Sequence, residues 1–182
     1  MKPFREIAPQ RTYTKIHSNY HDYKPYLVID FNYRCGYTDC SDFWFGGRNS
    51  FHIDHFIPWK KHIIDKPHLQ TDYSNLVYCC SYVNIAKSDD EGLYLDPCNV
   101  DYNEHFQRED NGKIIPLTDS AKYMYNKMKF YLERYRIIWM LDQLDNKIDK
   151  LKEIDNKEAE NVCNELLLAY YNYTKYLKKA NE

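Results

Sequence analysis

An α+β fold is predicted for this chain of 182 residues, from two patterns in different parts of the sequence. Residues 51–58 and 75–79 are short, largely apolar stretches bounded by proline or turn-forming residues, which is typical of strands. After Thr118, a long stretch lacks glycine and proline, and apolar residues recur every three or four positions, which indicates helices. The sequence therefore predicts a small mixed core followed by a C-terminal antiparallel helical hairpin.

The composition is that of an ordinary globular chain with one bias, toward tyrosine. Hydrophobic residues make up 43% and charged residues 29%, but there are 19 tyrosines and only 5 glycines. The formal net charge of −2 excludes a protein that coats nucleic acid by overall charge. Any contact with DNA must then come from local clusters of basic residues.

Cysteine usage and hydropathy bear on the compartment. The six cysteines show no regular disulfide framework, and the N-terminus has no apolar run of the kind found in signal peptides. We therefore expect a reducing, cytoplasmic location. No stretch approaches the twenty or so apolar residues that a membrane-spanning helix requires.

Residues 1–34 are predicted to form a basic N-terminal arm that ends in a short helix. Its first twenty residues are expected to be irregular or partly ordered, and they are candidates for contact with phosphates. Pro25 suits a helix start, and the apolar residues up to Tyr33 are dense enough for a short buried helix or a strand. Further on, Gly46 and Gly47 predict a turn between two strand-like pieces.

The stretch from Phe51 to Lys87 carries the polar residues of most chemical interest. Asp54 and His55 lie at the end of the first predicted strand, which stops at Pro58. A helix is expected after the second strand, and within it Asn84 and Lys87 are three positions apart and share a face. His52 shares the strand face of Asp54, where it can join or support a metal site.

These residue types suit the hydrolysis of a phosphodiester bond. Carboxylate and amide oxygens, from Asp54 and Asn84, are hard ligands that suit Mg²⁺ or Mn²⁺. The imidazole of His55 can act as a general base near neutral pH. Four basic residues are expected to contact substrate phosphates: Arg48, Lys60, Lys61 and Lys87.

The same residues resemble an HNH endonuclease of the His-Asn-Asn variety. The resemblance is carried by Cys35-Gly-Tyr-Thr, by Ile-Asp-His-Phe-Ile-Pro ending at Pro58, and by Asn75-Leu-Val-Tyr-Cys-Cys-Ser-Tyr-Val-Asn-Ile-Ala-Lys87. It implies a ββα-metal core over residues 35–90. It also implies that His55 is the base, that Asp54 and Asn84 bind the metal, and that Asn75 pins the loop that carries His55.

The chain departs from that family at a second, structural metal site. Many members hold zinc with two Cys-x-x-Cys pairs, but Thr38 and Val83 replace one cysteine of each pair here. Cys35, Cys40 and Cys80 are the possible zinc ligands that are left, although neighbouring cysteines rarely bind one tetrahedral ion together. The alternative is that they are small buried thiols.

The acidic connecting segment, residues 91–118, contains turn signals and few helical ones. Asp96-Pro-Cys98 and the segment from Asp101 to Phe106 resemble a stretch in HNH nuclease subunits of Septu and retron anti-phage systems. That resemblance implies a partner, an SMC-like ATPase. An ordinary ordered loop is the alternative.

Residues 119–182 are predicted to form the helical hairpin, with a bend at residues 155–157. One apolar seam is Ile137, Leu141, Leu144, Ile148 and Leu151, and the other is Val162, Leu166, Ala169, Tyr173 and Leu177. Aromatic residues and methionines before the first seam should pack it onto the core: Tyr123, Met124, Met128, Tyr131 and Tyr135. The hairpin either stabilises a small core or docks an ATPase or a second copy of the chain.

Three functions are compatible with the sequence. The first is a Mg²⁺-dependent DNA nuclease that acts in a defence complex with an ATPase. The second is a self-sufficient HNH restriction or nicking enzyme. The third is a non-catalytic, metal-stapled module that binds nucleic acid.

Overall fold

The computed structural model of the protein describes residues 1–180. Within these residues, two small sheets and six α-helices form an α+β arrangement, as predicted. The strands are Lys2–Pro3 (β1), Phe51–His55 (β2), Leu76–Cys80 (β3), Phe106–Arg108 (β4) and Ile114–Pro116 (β5). The helices are Lys24–Asp30 (α1), Ser81–Lys87 (α2), Tyr102–His105 (α3), Asp119–Lys127 (α4), Glu133–Lys152 (α5) and Lys157–Ala180 (α6).

The two strands of the first sheet, β2 and β3, pair antiparallel and confirm the two predicted strands. Every residue of β3 is buried, so this strand lies in the middle of the hydrophobic core. The short helix expected near Pro25 is α1, which buries Leu27 and Val28 in the same core. Helix α2 follows β3 directly, since Cys80 is its N-terminal flanking residue.

The N-terminal arm has no regular secondary structure between β1 and residue 19, as expected, but its first residues are packed against the protein. β1 pairs with β4, which also pairs with β5, so that residues 2–3 are tied to residues 107–108. Phe4 and Arg5 are buried, and the guanidinium of Arg5 lies 4.1 Å from the ring centroid of Tyr102. Because these side chains face inward, the first residues of the arm serve the core.

The strand-like pieces predicted around Gly46 are absent, and that prediction was wrong. Residues Asp42–Phe45 form a 3₁₀ helix, capped by the hydroxyl of Ser41, which accepts from the Phe43 amide. Gly46 ends it with a φ of 92°, a conformation that glycine adopts without a steric penalty. A helical turn satisfies these backbone groups locally, so no strand partner is needed.

The C-terminal hairpin is present as α5 and α6, and the predicted bend is confirmed at the break before Lys157. Helix α4 is a separate element, because the chain turns between Met128 and Leu132 with a left-handed Lys129 at φ 57°. The first seam is confirmed from Ile137 to Ile148, all buried. In the packing group expected before it, Tyr131 is half exposed, and Met124, Met128 and Tyr135 are buried.

The second seam is shifted by one residue at its start. Cys163 is buried on α6 and Val162 is exposed, because the helix rotates Ala159 and Cys163 toward α5. Trp44 also ties the hairpin to the core, since its indole N–H donates to Oδ1 of Asp142 at 2.6 Å. Within residues 1–180, no helix combines the length and the apolar character needed to cross a membrane.

Candidate active site

The candidate site is built where the end of β2 meets α2. Asp54 lies opposite Val77 and His55 opposite Leu76 in the antiparallel pair. β3 then leads straight into α2, which carries Asn84 and Lys87 one helical turn apart. The hairpin and the helix therefore bring the two predicted halves of the site into contact.

Asp54 is buried, and two neighbouring side chains hold its carboxylate. Its Oδ2 accepts a hydrogen bond from the Tyr37 hydroxyl at 2.6 Å, and Nζ of Lys87 lies 3.1 Å from the same oxygen. Burial raises the pKa of the Asp54 carboxyl above its ordinary value, and Lys87 and Tyr37 oppose that rise. Tyr37 and Lys87 thus hold this carboxylate in one orientation.

Lys87 has a different role from the predicted one. Its side chain is fully buried, and Nζ also donates to the carbonyl oxygen of His55 at 2.9 Å. An ammonium enclosed in this way is not on the surface where a substrate phosphate would bind, so the predicted phosphate contact is wrong. Lys87 instead pairs the carboxylate of Asp54 and braces the backbone of His55.

His55 is held through one of its two ring nitrogens. Nε2 lies 2.9 Å from the carbonyl oxygen of Gln70, which can only accept, so Nε2 carries the proton. Nδ1 is then the basic nitrogen. The ring of Tyr20 packs edge-on against the imidazole with centroids 4.7 Å apart, and Trp59 lies at 6.2 Å. Burial lowers the pKa of His55, outweighing the hydrogen bond to Gln70, which raises it.

Asn75 clamps the loop that follows His55. Its Oδ1 accepts from the Ile57 amide at 2.8 Å, and its Nδ2 donates to the carbonyl oxygens of Ile57 and Leu69, each at 3.0 Å. The two ends of the loop, residues 57 and 69, are thereby joined through one buried side chain. These contacts are those of a structural residue, the role that the sequence analysis expects for Asn75.

Asn84 and His52 contact each other on the more exposed side of the site. Nδ2 of Asn84 donates to Nδ1 of His52 at 3.0 Å, which leaves Oδ1 of Asn84 without a hydrogen bond to any described residue. Lys87 is the side chain that contacts Oδ1 of Asp54 among the described residues, with Nζ at 3.2 Å. One amide oxygen and one carboxylate oxygen with lone pairs to spare fit a hard divalent cation that keeps several waters.

The other predicted phosphate contacts, Arg48, Lys60 and Lys61, are exposed. Lys60 and Lys61 begin the loop after Pro58, next to Trp59, and Nζ of Lys60 lies 6.0 Å from the Trp59 ring centroid. Arg48 lies in the turn before β2, close enough to Lys24 to help lower the pKa of that lysine, after the larger effect of burial. Their position allows contact with a bound polyanion.

The cysteines proposed for zinc are all buried free thiols. Cys35 and Cys80 are neighbours, since the Cys80 amide lies 3.4 Å from Sγ of Cys35. Sγ of Cys40 instead lies near the carbonyl oxygens of Thr38 and Tyr135. Burial opposes ionisation of Cys35, but hydrogen bonds from Cys80 and Thr38 lower its pKa to about 7. No group of three or more His, Cys, Asp or Glu residues in the described chain is arranged to hold a metal.

Several residues of the site were missed by the sequence analysis. Tyr20 and Trp59 pack against His55, Gln70 fixes its protonated nitrogen, and Tyr37 binds Asp54. Gln70 acts through its backbone carbonyl, so its residue type carries no signal. Tyr20 reaches the site from the N-terminal segment by tertiary packing, which no spacing pattern encodes.

Comparison with known proteins gives one match. Residues 34–90 match the family model described as HNH endonuclease, over less than a third of the chain. That segment contains β2, β3 and α2 and every residue of the candidate site except Tyr20. No curated protein and no solved structure matches significantly. The match supports a nuclease of the HNH type.

Proposed function

We propose that this protein is an endonuclease that hydrolyses phosphodiester bonds of DNA with Mg²⁺ or Mn²⁺. The observation that carries the proposal is the hydrogen bond from Nε2 of His55 to the carbonyl oxygen of Gln70. In the neutral imidazole, which the lowered pKa of His55 favours, this bond places the proton on Nε2 and makes Nδ1 the basic nitrogen. A neutral imidazole with a fixed ring is what a general base for water requires.

In this proposal, His55 takes a proton from the attacking water at Nδ1. Asp54 and Asn84 would hold the divalent cation, which when bound supplies charge stabilisation to the phosphorane and the departing oxygen. Lys87 and Tyr37 fix the Asp54 carboxylate, and His52 orients the side-chain amide of Asn84. Arg48, Lys60 and Lys61 would contact neighbouring phosphates.

The test is cleavage of supercoiled plasmid with added Mg²⁺ by purified wild type, by His55→Ala and by His68→Ala. His68 is an exposed histidine of the same loop and serves as the matched control. We expect wild type and His68→Ala to nick the plasmid, and His55→Ala to lose nicking while keeping its circular dichroism spectrum. If His55→Ala nicks the plasmid as well as wild type does, His55 is not the general base.

We further propose that the nuclease works in an anti-phage defence complex with an SMC-like ATPase, docked through the helical hairpin. The support is the resemblance of residues 96–106 together with exposed apolar residues on α6, Leu167, Leu168 and Tyr171. Copurification with an ATPase encoded beside it, lost in Leu168→Asp, is the expected result. Self-association of the chain in analytical ultracentrifugation would instead favour a homo-oligomer. Robust cleavage by the isolated chain would favour a stand-alone enzyme.

The non-catalytic alternative makes an opposite prediction. A metal-stapled binding module would hold zinc in stoichiometric amount through Cys35, Cys40 and Cys80, and would not cleave. Metal analysis of the purified protein by mass spectrometry distinguishes it from the nuclease. Stoichiometric zinc together with an absence of Mg²⁺-dependent nicking would replace our proposal with this one.

A further inference from the structure

The loop after His55 ends in an apolar tip. Two 3₁₀ turns, Trp59–His62 and Pro67–Gln70, contact each other, and a hydrogen bond from the Lys66 amide to the His62 carbonyl oxygen at 2.8 Å closes the turn between them. Ile63 and Ile64 lie inside that turn, and Ile64 is 94% exposed, more than any other large apolar side chain described. We call residues 59–70 the clamped loop.

The base of the clamped loop is fixed to the catalytic residues. Asn75 binds the carbonyl oxygen of Leu69, the Leu69 side chain is buried, and Gln70 binds His55. At the other end, Trp59 packs near the same imidazole. The loop therefore leaves and returns at His55, and its exposed apolar tip lies between these two anchored ends.

The clamped loop itself carries more positive than negative charge, with three lysines and one aspartate. Lys60, Lys61 and Lys66 are all exposed on the clamped loop. Asp65 and Glu91 both contact the ring of His62. Asp90 lies near Lys61, but it accepts from the Tyr94 hydroxyl and pairs with Lys127. Glu91 and Asp65 raise the pKa of His62, the hydrogen bond to Glu91 being the largest cause. The three lysines are left without ion-pair partners among the described residues.

We propose that Ile63 and Ile64 form a wedge that inserts between stacked bases of double-stranded DNA next to the scissile phosphate. The inference rests on the proposed nuclease function. Apolar side chains flanked by cations unstack and kink duplex DNA in this manner, because the cations hold the backbone while the wedge replaces a stacking contact. Charge complementarity favours a nucleic acid over an apolar protein partner at this tip.

The first test measures unstacking without cleavage. The His55→Ala protein is titrated into duplexes that carry 2-aminopurine at successive positions, and the increase in fluorescence at saturation is recorded. The same titration is repeated with the double variant that carries both His55→Ala and Ile64→Ser. Ile154→Ser, a half-exposed isoleucine at the bend of the helical hairpin, is the matched control. We expect Ile64→Ser to lose most of the increase, and Ile154→Ser and Ile64→Phe to keep it.

The second test compares cleavage of a fully paired duplex with that of a duplex containing a single-base bulge, where stacking is already broken. Ile64→Ser should slow the paired substrate at least about tenfold and the bulged one less than about twofold, since unstacking costs a few kcal/mol per step. Equal slowing of both substrates, or no slowing, overturns the wedge. The wedge is also overturned if the His55→Ala protein that retains Ile64 gives no fluorescence increase.

The two tests separate the wedge from the nuclease proposal. If the fluorescence increase depends on Ile64 but the wild-type protein does not cleave DNA, the wedge is supported and the nuclease function is contradicted. Cleavage that depends on His55 but not on Ile64 keeps the nuclease function and removes the wedge.

Discussion

Lys87 and Asp54 form an ion pair inside the protein, with Nζ of Lys87 3.1 Å from Oδ2 of Asp54 and the lysine side chain fully enclosed. Charges removed from water are costly unless they are paired, so each group depends on the other to remain buried. The pair joins β2 to α2 and sets the position of the candidate metal ligand.

Lys87→Ala should therefore unfold more easily than a typical surface variant. Removing one partner of a buried pair leaves an uncompensated charge, which costs about 3–5 kcal/mol. Chemical denaturation would measure this, with Lys122→Ala as the control, because Lys122 pairs with Asp119 on the exposed face of α4. Equal costs for the two variants would contradict the structural role of Lys87. The double variant Asp54→Asn with Lys87→Met should be more stable than Lys87→Ala.

Asn75→Ala should impair both stability and cleavage. It removes three hydrogen bonds that hold the ends of the clamped loop, each contributing about 1 kcal/mol. We expect a loss of about 2–3 kcal/mol in denaturation and a fall in kcat, because the loop also holds His55. Asn161→Ala, on the exposed side of α6, should change neither quantity. A stability loss with unchanged kcat would show that the clamp does not affect His55.

Chelation of divalent metal should abolish cleavage, and Mg²⁺ or Mn²⁺ should restore it. Asn84→Ala should need about 10–100 times more metal for half-maximal activity than wild type, the range expected when metal ligation is weakened. Titration of activity against Mn²⁺ measures this. His52→Ala tests the support of Asn84 and should raise the metal requirement less. Cleavage that persists in excess chelator would contradict a metal-dependent mechanism.

The His62 contacts predict a pH effect at the loop tip. The pKa of His62 is raised above 6.5 by Glu91, so the contact is fully formed below pH 6.5 and is lost as the pH rises through the raised pKa. NMR titration of the His62 ring should give an apparent pKa above 6.5. Glu91→Gln should lower it, and Glu104→Gln, on α3, should leave it unchanged. If Glu91→Gln leaves the apparent pKa of His62 unchanged, the contact between Glu91 and His62 is contradicted.

The helical hairpin should contribute to folding through its first seam. Leu141 is fully buried between the helices, and its truncation to alanine should cost about 2–5 kcal/mol. Leu168→Ala is the matched control, because Leu168 is exposed on α6 and its truncation should lower the free energy of unfolding only slightly. Comparison of their denaturation midpoints measures the difference. A negligible cost at Leu141 would show that the hairpin is not coupled to the stability of the fold.

The parts of the fold that follow local patterns were predictable from sequence. Strands β2 and β3, helix α2 and the first seam of α5 follow alternation or helical spacing, and the structure confirms them. The turn around Lys129 was not predictable, because the left-handed conformation there falls on a residue that gives no turn signal. The sheet of β1, β4 and β5 depends on pairing between distant segments, which short strands do not reveal.

For the candidate site, the types of residue that take part were predictable from the sequence, but which of their side chains are buried was not. Asp54, His55 and Asn84 lie on the adjacent elements expected, at the end of β2 and on α2. Lys87 was misassigned because a lysine near a nuclease motif suggests phosphate, whereas this one is enclosed and neutralises Asp54. Burial of a cation depends on tertiary packing and has no local spacing signal.

The bond between Arg108 and the backbone of Phe4 has a consequence for synthesis. Nε of Arg108 donates to the Phe4 carbonyl oxygen at 3.1 Å, and Tyr135 and Ile138 belong to the same core. On the ribosome, the segment that carries the candidate site emerges well before these partners do, with its apolar faces uncovered. The core around residues 51–87 therefore cannot close until residues 108–138 have been synthesised, and until then its uncovered apolar side chains favour aggregation.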